Sequence, residues 1–113
     1  VNRMAKKYTF VRVANNTTNG VALGVDNQDI NVHKIIVGAP VGGGIVRLYD
    51  ISNPVNNSTT NMAFMLTFPT FSTTNINNGP YTFDFGEDGI RLGEGGNIMA
   101  DGDMQVTVVW SEN

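Results

Sequence analysis

Tyr81-Thr82-Phe83-Asp84-Phe85 decides the fold, because its side chains alternate between aromatic and polar with a period of two. Tyr81, Phe83 and Phe85 fall on one face of an extended chain and Thr82 and Asp84 on the other, the pattern of a half-buried β-strand with Asp84 outward. The same period spreads in both directions. Toward the C-terminus, runs at Ile90 to Leu92, Asn97 to Ala100 and Met104 to Trp110 are parted by Gly86 to Gly89, Gly93 to Gly96 and Asp101-Gly102-Asp103. In the last run Met104, Val106, Val108 and Trp110 share a face. Toward the N-terminus, Met62, Phe64, Leu66 and Phe68 alternate against Ala63, Met65 and Thr67, and Pro69, which has no N–H, ends that strand.

Upstream again, Ile45 to Asp50 sets Val46 and Leu48 against Arg47 and Tyr49. The contiguous Ile35-Ile36-Val37 within Val32 to Val37 predicts a strand buried on both faces. The glycine-rich link Gly38 to Gly44 predicts a hairpin between these two strands. Val21 to Val25 and Lys7 to Val13 complete the series. No stretch places apolar residues at i, i+3, i+4 and i+7 over three turns. Eight or nine short strands, spaced roughly 8–12 residues apart, predict an all-β fold. The expected architecture is a small antiparallel β-sandwich or jelly-roll-like barrel of about eight strands. Residues 7–113 form its single domain, behind a basic N-terminal arm of residues 1–6. Phe64, Leu66, Phe83, Phe85, Val106, Val108 and Trp110 are its expected core, each in the apolar phase of its strand.

Composition narrows the function. Charged residues make up 15% of the 113 residues, against roughly 25% in soluble domains, so Asn, Thr and Gly carry the solvation. Such a weakly self-repelling surface suits a chain that works in an assembly. A net charge of −3 argues against a nucleic-acid partner. Without cysteine, disulfides and thiolate chemistry are excluded. No apolar run reaches the roughly 18 residues of a membrane span, and no signal-peptide core is present, so the expectation is a chain made in the cytoplasm and not bound to a membrane. Arg3, Lys6, Lys7 and Arg12 crowd one end, while Asp84, Glu87, Asp88, Glu94, Asp101 and Asp103 crowd the other.

Catalytic chemistry finds little to use. Gly38 to Gly44 lacks the Gly-Lys-Ser/Thr ending and the helix of a phosphate loop, and Gly93-Glu94-Gly95-Gly96 puts a carboxylate where a phosphate would sit. His33 is the one histidine, read as a partly exposed strand residue, and no Gly-x-Ser-x-Gly elbow exists. Asp101-Gly102-Asp103 reads as a tight turn; the alternative, a loop-built Ca²⁺ site, would need a third ligand from elsewhere. The expectation is therefore no catalytic residue, no metal and no cofactor. Tyr49, Phe71 and Trp110 could form a saccharide platform, but the phase of Trp110 favours the core. Phe71, in a long polar loop, suits an interface anchor, and the arm residues Arg3, Lys6 and Lys7 suit an acidic partner surface.

A resemblance adds to this reading. It runs through Ile35-Ile36-Val37, then Gly43-Gly44-Ile45-Val46-Arg47-Leu48-Tyr49-Asp50, then Gly79-Pro80-Tyr81-Thr82-Phe83-Asp84-Phe85. Gly89-Ile90-Arg91-Leu92 and Asp103-Met104-Gln105-Val106-Thr107-Val108-Val109-Trp110 complete it. Over residues 32–110 this succession of strand patterns resembles the small β-sandwich structural proteins of tailed bacteriophages. The resemblance implies a non-enzymatic virion component, foremost a capsid decoration (cement) protein bound to the major capsid protein lattice, with a homotrimer favoured. The alternative is a carbohydrate-binding module or a receptor-binding tail or fibre tip.

Overall fold

The computed structural model describes residues 7–14, 20–38, 42–53, 60–69 and 80–112. They form nine strands and, among the described residues, no helix. These are β1 (Lys7–Ala14), β2 (Val21–Leu23), β3 (Ile30–Gly38), β4 (Gly44–Tyr49), β5 (Met62–Phe68), β6 (Tyr81–Asp84), β7 (Ile90–Leu92), β8 (Gly96–Asp101) and β9 (Asp103–Glu112). One sheet runs β1-β9-β3-β6, with β7 also on β3, and the other runs β2-β8-β4-β5. Every strand pairing is antiparallel.

β6 and β7 lie end to end along one edge of β3, Asp84 to Tyr81 opposite Lys34 to Val37 and Leu92 to Ile90 opposite Ile30 to Val32. Counted as one interrupted strand, they make each sheet four strands wide. The first strand then pairs with the last, the second with the second-last, and so inward to β4 and β5. A single antiparallel ribbon has been rolled so that successive lengths fall in alternate sheets, which is the jelly-roll order. The sandwich expected from the alternation is the fold observed.

Two local expectations need correction. β3 and β4 are not a hairpin: β3 pairs with β9, β6 and β7, and β4 pairs with β5 and β8 in the other sheet. Their glycine-rich link crosses between sheets. Asp101-Gly102-Asp103 is likewise a corner, since β8 ends at Asp101 in one sheet and β9 starts at Asp103 in the other. Gly102 takes φ +126°, and a Cβ there would lie 2.6 Å from the Gly43 carbonyl oxygen, so only glycine turns this corner without strain.

The second correction concerns the apolar run in β3. Val32 pairs with Trp110 and Lys34 with Val109, which leaves His33 as an extra residue in β3. This bulge resets the alternation. Ile30 and Val32 face the core on even numbers, and Ile35 and Val37 face it on odd ones. Ile36 is only half-buried. The contiguous apolar residues are thus two alternating segments spliced at His33, not a strand buried on both faces.

The core joins Leu23, Val46, Leu48, Ile98 and Ala100 of one sheet to Ile30, Val32, Ile35, Val37, Val106, Val108 and Trp110 of the other. Phe64, Leu66, Phe83 and Phe85 pack against it while remaining half-buried. They stand on β5 and on β6 or, for Phe85, just past its end, where the sandwich ends. Phe64 meets Phe85 edge-on with centroids 5.2 Å apart, and Phe68 meets Tyr81 at 5.6 Å, closing that side with an aromatic seam.

Two tests follow from this packing. Trp110, 7% exposed in the core, should cost about 3–5 kcal/mol when replaced by alanine, read by urea denaturation. Gly89 and Gly86 both hold positive φ, but a Cβ on Gly89 would meet the Val32 carbonyl oxygen at 2.4 Å, whereas one on Gly86 meets nothing within 4 Å. Gly86→Ala should cost about 1–2 kcal/mol from backbone strain alone. Gly89→Ala should cost clearly more, and equal losses would refute the close approach at the bulge.

Candidate functional site

Where the β2–β3, β4–β5 and β7–β8 links meet, one end of the sandwich opens into a basin of about 560 Å³ lined by Asp26, Asn27, Ile51, Asn53, Asn61 and Glu94. Asn27 and Asn61 are the two non-glycine residues with positive φ among the described residues, at 61° and 65°. Asparagine tolerates this region better than other side chains, and its use at both positions shapes the rim.

Hydrogen bonds hold the basin walls to one another. The Asn27 amide donates to the Glu94 carbonyl at 3.3 Å, and the Asp50 amide donates to the Asn61 carbonyl at 2.7 Å. The Glu94 amide donates to Asp50 Oδ1 at 3.1 Å. Behind them the Ser52 hydroxyl donates to Asp26 Oδ1, and buried Asn97 donates through Nδ2 to the Ser52 carbonyl at 3.0 Å. Arg91 on β7 clasps Asp29 through Nε and Nη2, which ties the β2–β3 link to the sheet edge. The hydrogen bond and charge of Asp29 push the Arg91 guanidinium pKa up further. Against this fixed frame, the side chains of Asn27, Asn53, Asn61 and Glu94 make no hydrogen bond to another described residue.

Of the residues expected to bind a partner, Arg3, Lys6 and Phe71 lie outside the described residues. Lys7 opens β1, its backbone opposite Trp110. The saccharide platform of Tyr49, Phe71 and Trp110 is not assembled, because Tyr49 and Trp110 are both buried. Tyr49 does point away from Val46 and Leu48, as its phase requires. That outer face is covered, however, and Asn97 and Met99 are buried on it as well. Asp84 stands outward as expected, 3.9 Å from Lys34 Nζ and accepting the Gly86 amide at 2.9 Å.

His33 is buried rather than partly exposed, with Nε2 2.7 Å from Ser111 Oγ. A serine against an imidazole invites a nucleophile–base reading. Both residues are more than nine-tenths buried, and His33 Nδ1 meets no hydrogen-bond partner, so the group that would orient the base is missing. The pair instead links β3 to β9 beside the bulge. No group of three Asp, Glu or His able to hold a metal occurs among the described residues.

The four sheet edges differ sharply. β2 has three residues, β6 and β7 have four and three with Asp84 and Arg91 among them, and β1 carries Lys7 and Arg12. β5 runs for seven residues, Met-Ala-Phe-Met-Leu-Thr-Phe, without a charge or an internal proline. Its outward residues Ala63, Met65 and Thr67 are exposed, Met65 at 52%. Long, uncharged edges pair readily with another chain, and natural proteins usually blunt them.

The basin was not found from sequence, since its residues are scattered loop Asn, Asp and Glu with no periodicity; the Asn residues at turn positions were the only signal. No family model, no curated protein and no solved structure matches the chain.

Two measurements check this geometry. Ser111→Ala strands a buried imidazole nitrogen and should lower stability by about 1–3 kcal/mol. A chelator should leave the melting temperature unchanged, because hydrogen bonds hold the loops; a Ca²⁺ site filled at a hundred times its dissociation constant would add about 2.7 kcal/mol instead.

Proposed function

We propose that this chain is a non-enzymatic structural component of a virus particle, a capsid decoration protein that binds the major capsid protein lattice. The observation that carries the reading is the β5 edge, seven uncharged residues beside a half-buried aromatic seam. A monomer that stayed alone would gain from a lysine there; the one irregularity, where the register with β4 skips Ala63, leaves Phe64 to Phe68 as a regular edge. An added strand from a lattice subunit would pair with the edge of β5, which no other described strand covers, and would cover Met65. The low charge of the chain and the strand succession shared with tailed-phage proteins support the same reading. The fold by itself does not, because jelly rolls host unrelated functions.

The basic arm assists this attachment. Exposed ion pairs contribute under about 1 kcal/mol each, so Arg3, Lys6 and Lys7 tune affinity while apolar contacts at β5 and Phe71 provide most of it.

The test uses particles that carry the chain. Quantitative mass spectrometry should find it in lattice-like copy number, in the hundreds rather than the few of a tail tip. Added back to stripped particles, a Met65→Lys, Thr67→Lys variant should remain folded yet bind at least about tenfold more weakly. Removing residues 1–6 should weaken binding at low salt, with the difference closing as salt rises. Copy numbers of a few, or unchanged binding by the double-lysine variant, would overturn the proposal.

A further inference from the structure

The loop-end basin carries an inference that is independent of the surface holding the particle. We propose that it binds a neutral, hydroxyl-rich ligand, a saccharide unit. Its lining decides the chemistry. Among the described residues no Lys, Arg or His lines it and two carboxylates do, so a phosphate or sulfate would meet repulsion there. Ile51 is the single apolar residue among the described lining, too little to bury a large apolar ligand. A hard cation would need about six to eight converging oxygens, and no trio of Asp, Glu or His gathers among the described residues. Asp26 already accepts from Ser52, and Asp50 is occupied by the Glu94 amide.

A sugar hydroxyl both donates and accepts, and this lining offers partners for both roles. Asp26 and Glu94 accept, while the carboxamides of Asn27, Asn53 and Asn61 each donate and accept. About 560 Å³ lies within the range of roughly 300–1,000 Å³ for small-molecule sites. The Asn27–Glu94 and Asp50–Asn61 backbone hydrogen bonds fix the rim before any ligand arrives, which lowers the ordering cost of binding. Ile51 offers one apolar contact for a ring face. With no aromatic ring among the described lining residues, the dissociation constant should be on the order of 1 mM for a single sugar, tightening with longer oligosaccharides.

The experiment is a titration of the ¹⁵N-labelled full chain with glucose, galactose, mannose, rhamnose, N-acetylglucosamine and their short oligomers. At least one should shift the side-chain amide signals of Asn27, Asn53 and Asn61 saturably. Because no charge is neutralised, the affinity should hold between about 0.1 and 0.5 M salt. Asn53→Ala and Glu94→Gln alter side chains that make no hydrogen bond to another described residue. Each should weaken binding about tenfold with an unchanged melting temperature. Three outcomes would overturn the proposal: no sugar moving these signals well above about 1 mM, shifts that survive both substitutions, or saturable shifts with Ca²⁺ alone. Particle attachment is scored separately on the β5 variants, so either result leaves the other reading standing or falling by itself.

Discussion

One extra residue in β3 makes the sandwich possible. β3 is central to its sheet and pairs along its length with β9 on one side and with β6 and β7 on the other. A regular strand with Ile30 and Val32 inward would also turn Lys34 and Ile36 inward and push Ile35 and Val37 out. The bulge at His33 prevents this. The neighbouring edge accommodates it: β6 and β7 part opposite His33, the Phe85 amide donates to the His33 carbonyl at 2.9 Å, and Gly89 passes close to Val32. The break in that edge and the bulge are one feature seen from two strands. The imidazole that the bulge turns outward is then engaged by Ser111.

This feature also marks how far the sequence could be read. Alternation located every strand, because period-two burial needs only the order of apolar and polar side chains. It placed Val106, Val108 and Trp110 inside and Asp84 outside, as observed. Pairing partners are another matter. Which strand lies beside which is decided by links that cross between sheets, and a glycine-rich crossing looks the same in sequence as a hairpin tip. The hairpin expected at Gly38 to Gly44 fails for that reason. A bulge is equally silent, since Ile35-Ile36-Val37 fits a doubly buried strand as well as a spliced one.

Burial on the outer faces escaped in a similar way. Tyr49 and His33 lie in phases that point away from the shared core, yet both are covered. Phase gives direction, and it gives exposure only when nothing packs on the outer face. The buried hydroxyl of Tyr49 and the buried Arg47 Nη1 meet no hydrogen-bond partner, so these covered faces are less completely satisfied than the core.

The same division explains where binding chemistry can reside. Stability comes from residues in strand phase, whose replacement opens cavities, so strand interiors are closed to functional change. The loop end is held by backbone hydrogen bonds and by the Ser52–Asp26 and Arg91–Asp29 contacts, and among the described residues the side chains of Asn27, Asn53, Asn61 and Glu94 have no hydrogen-bond partner. Four such polar side chains in one basin are hard to attribute to solvation alone, because solvation does not require them to converge. The β5 edge presents the converse case, an apolar strand whose outer side pairs with no other described strand. Its chemistry suits another polypeptide, whereas the basin's suits a small polyhydroxyl molecule, and the two lie on different parts of the fold.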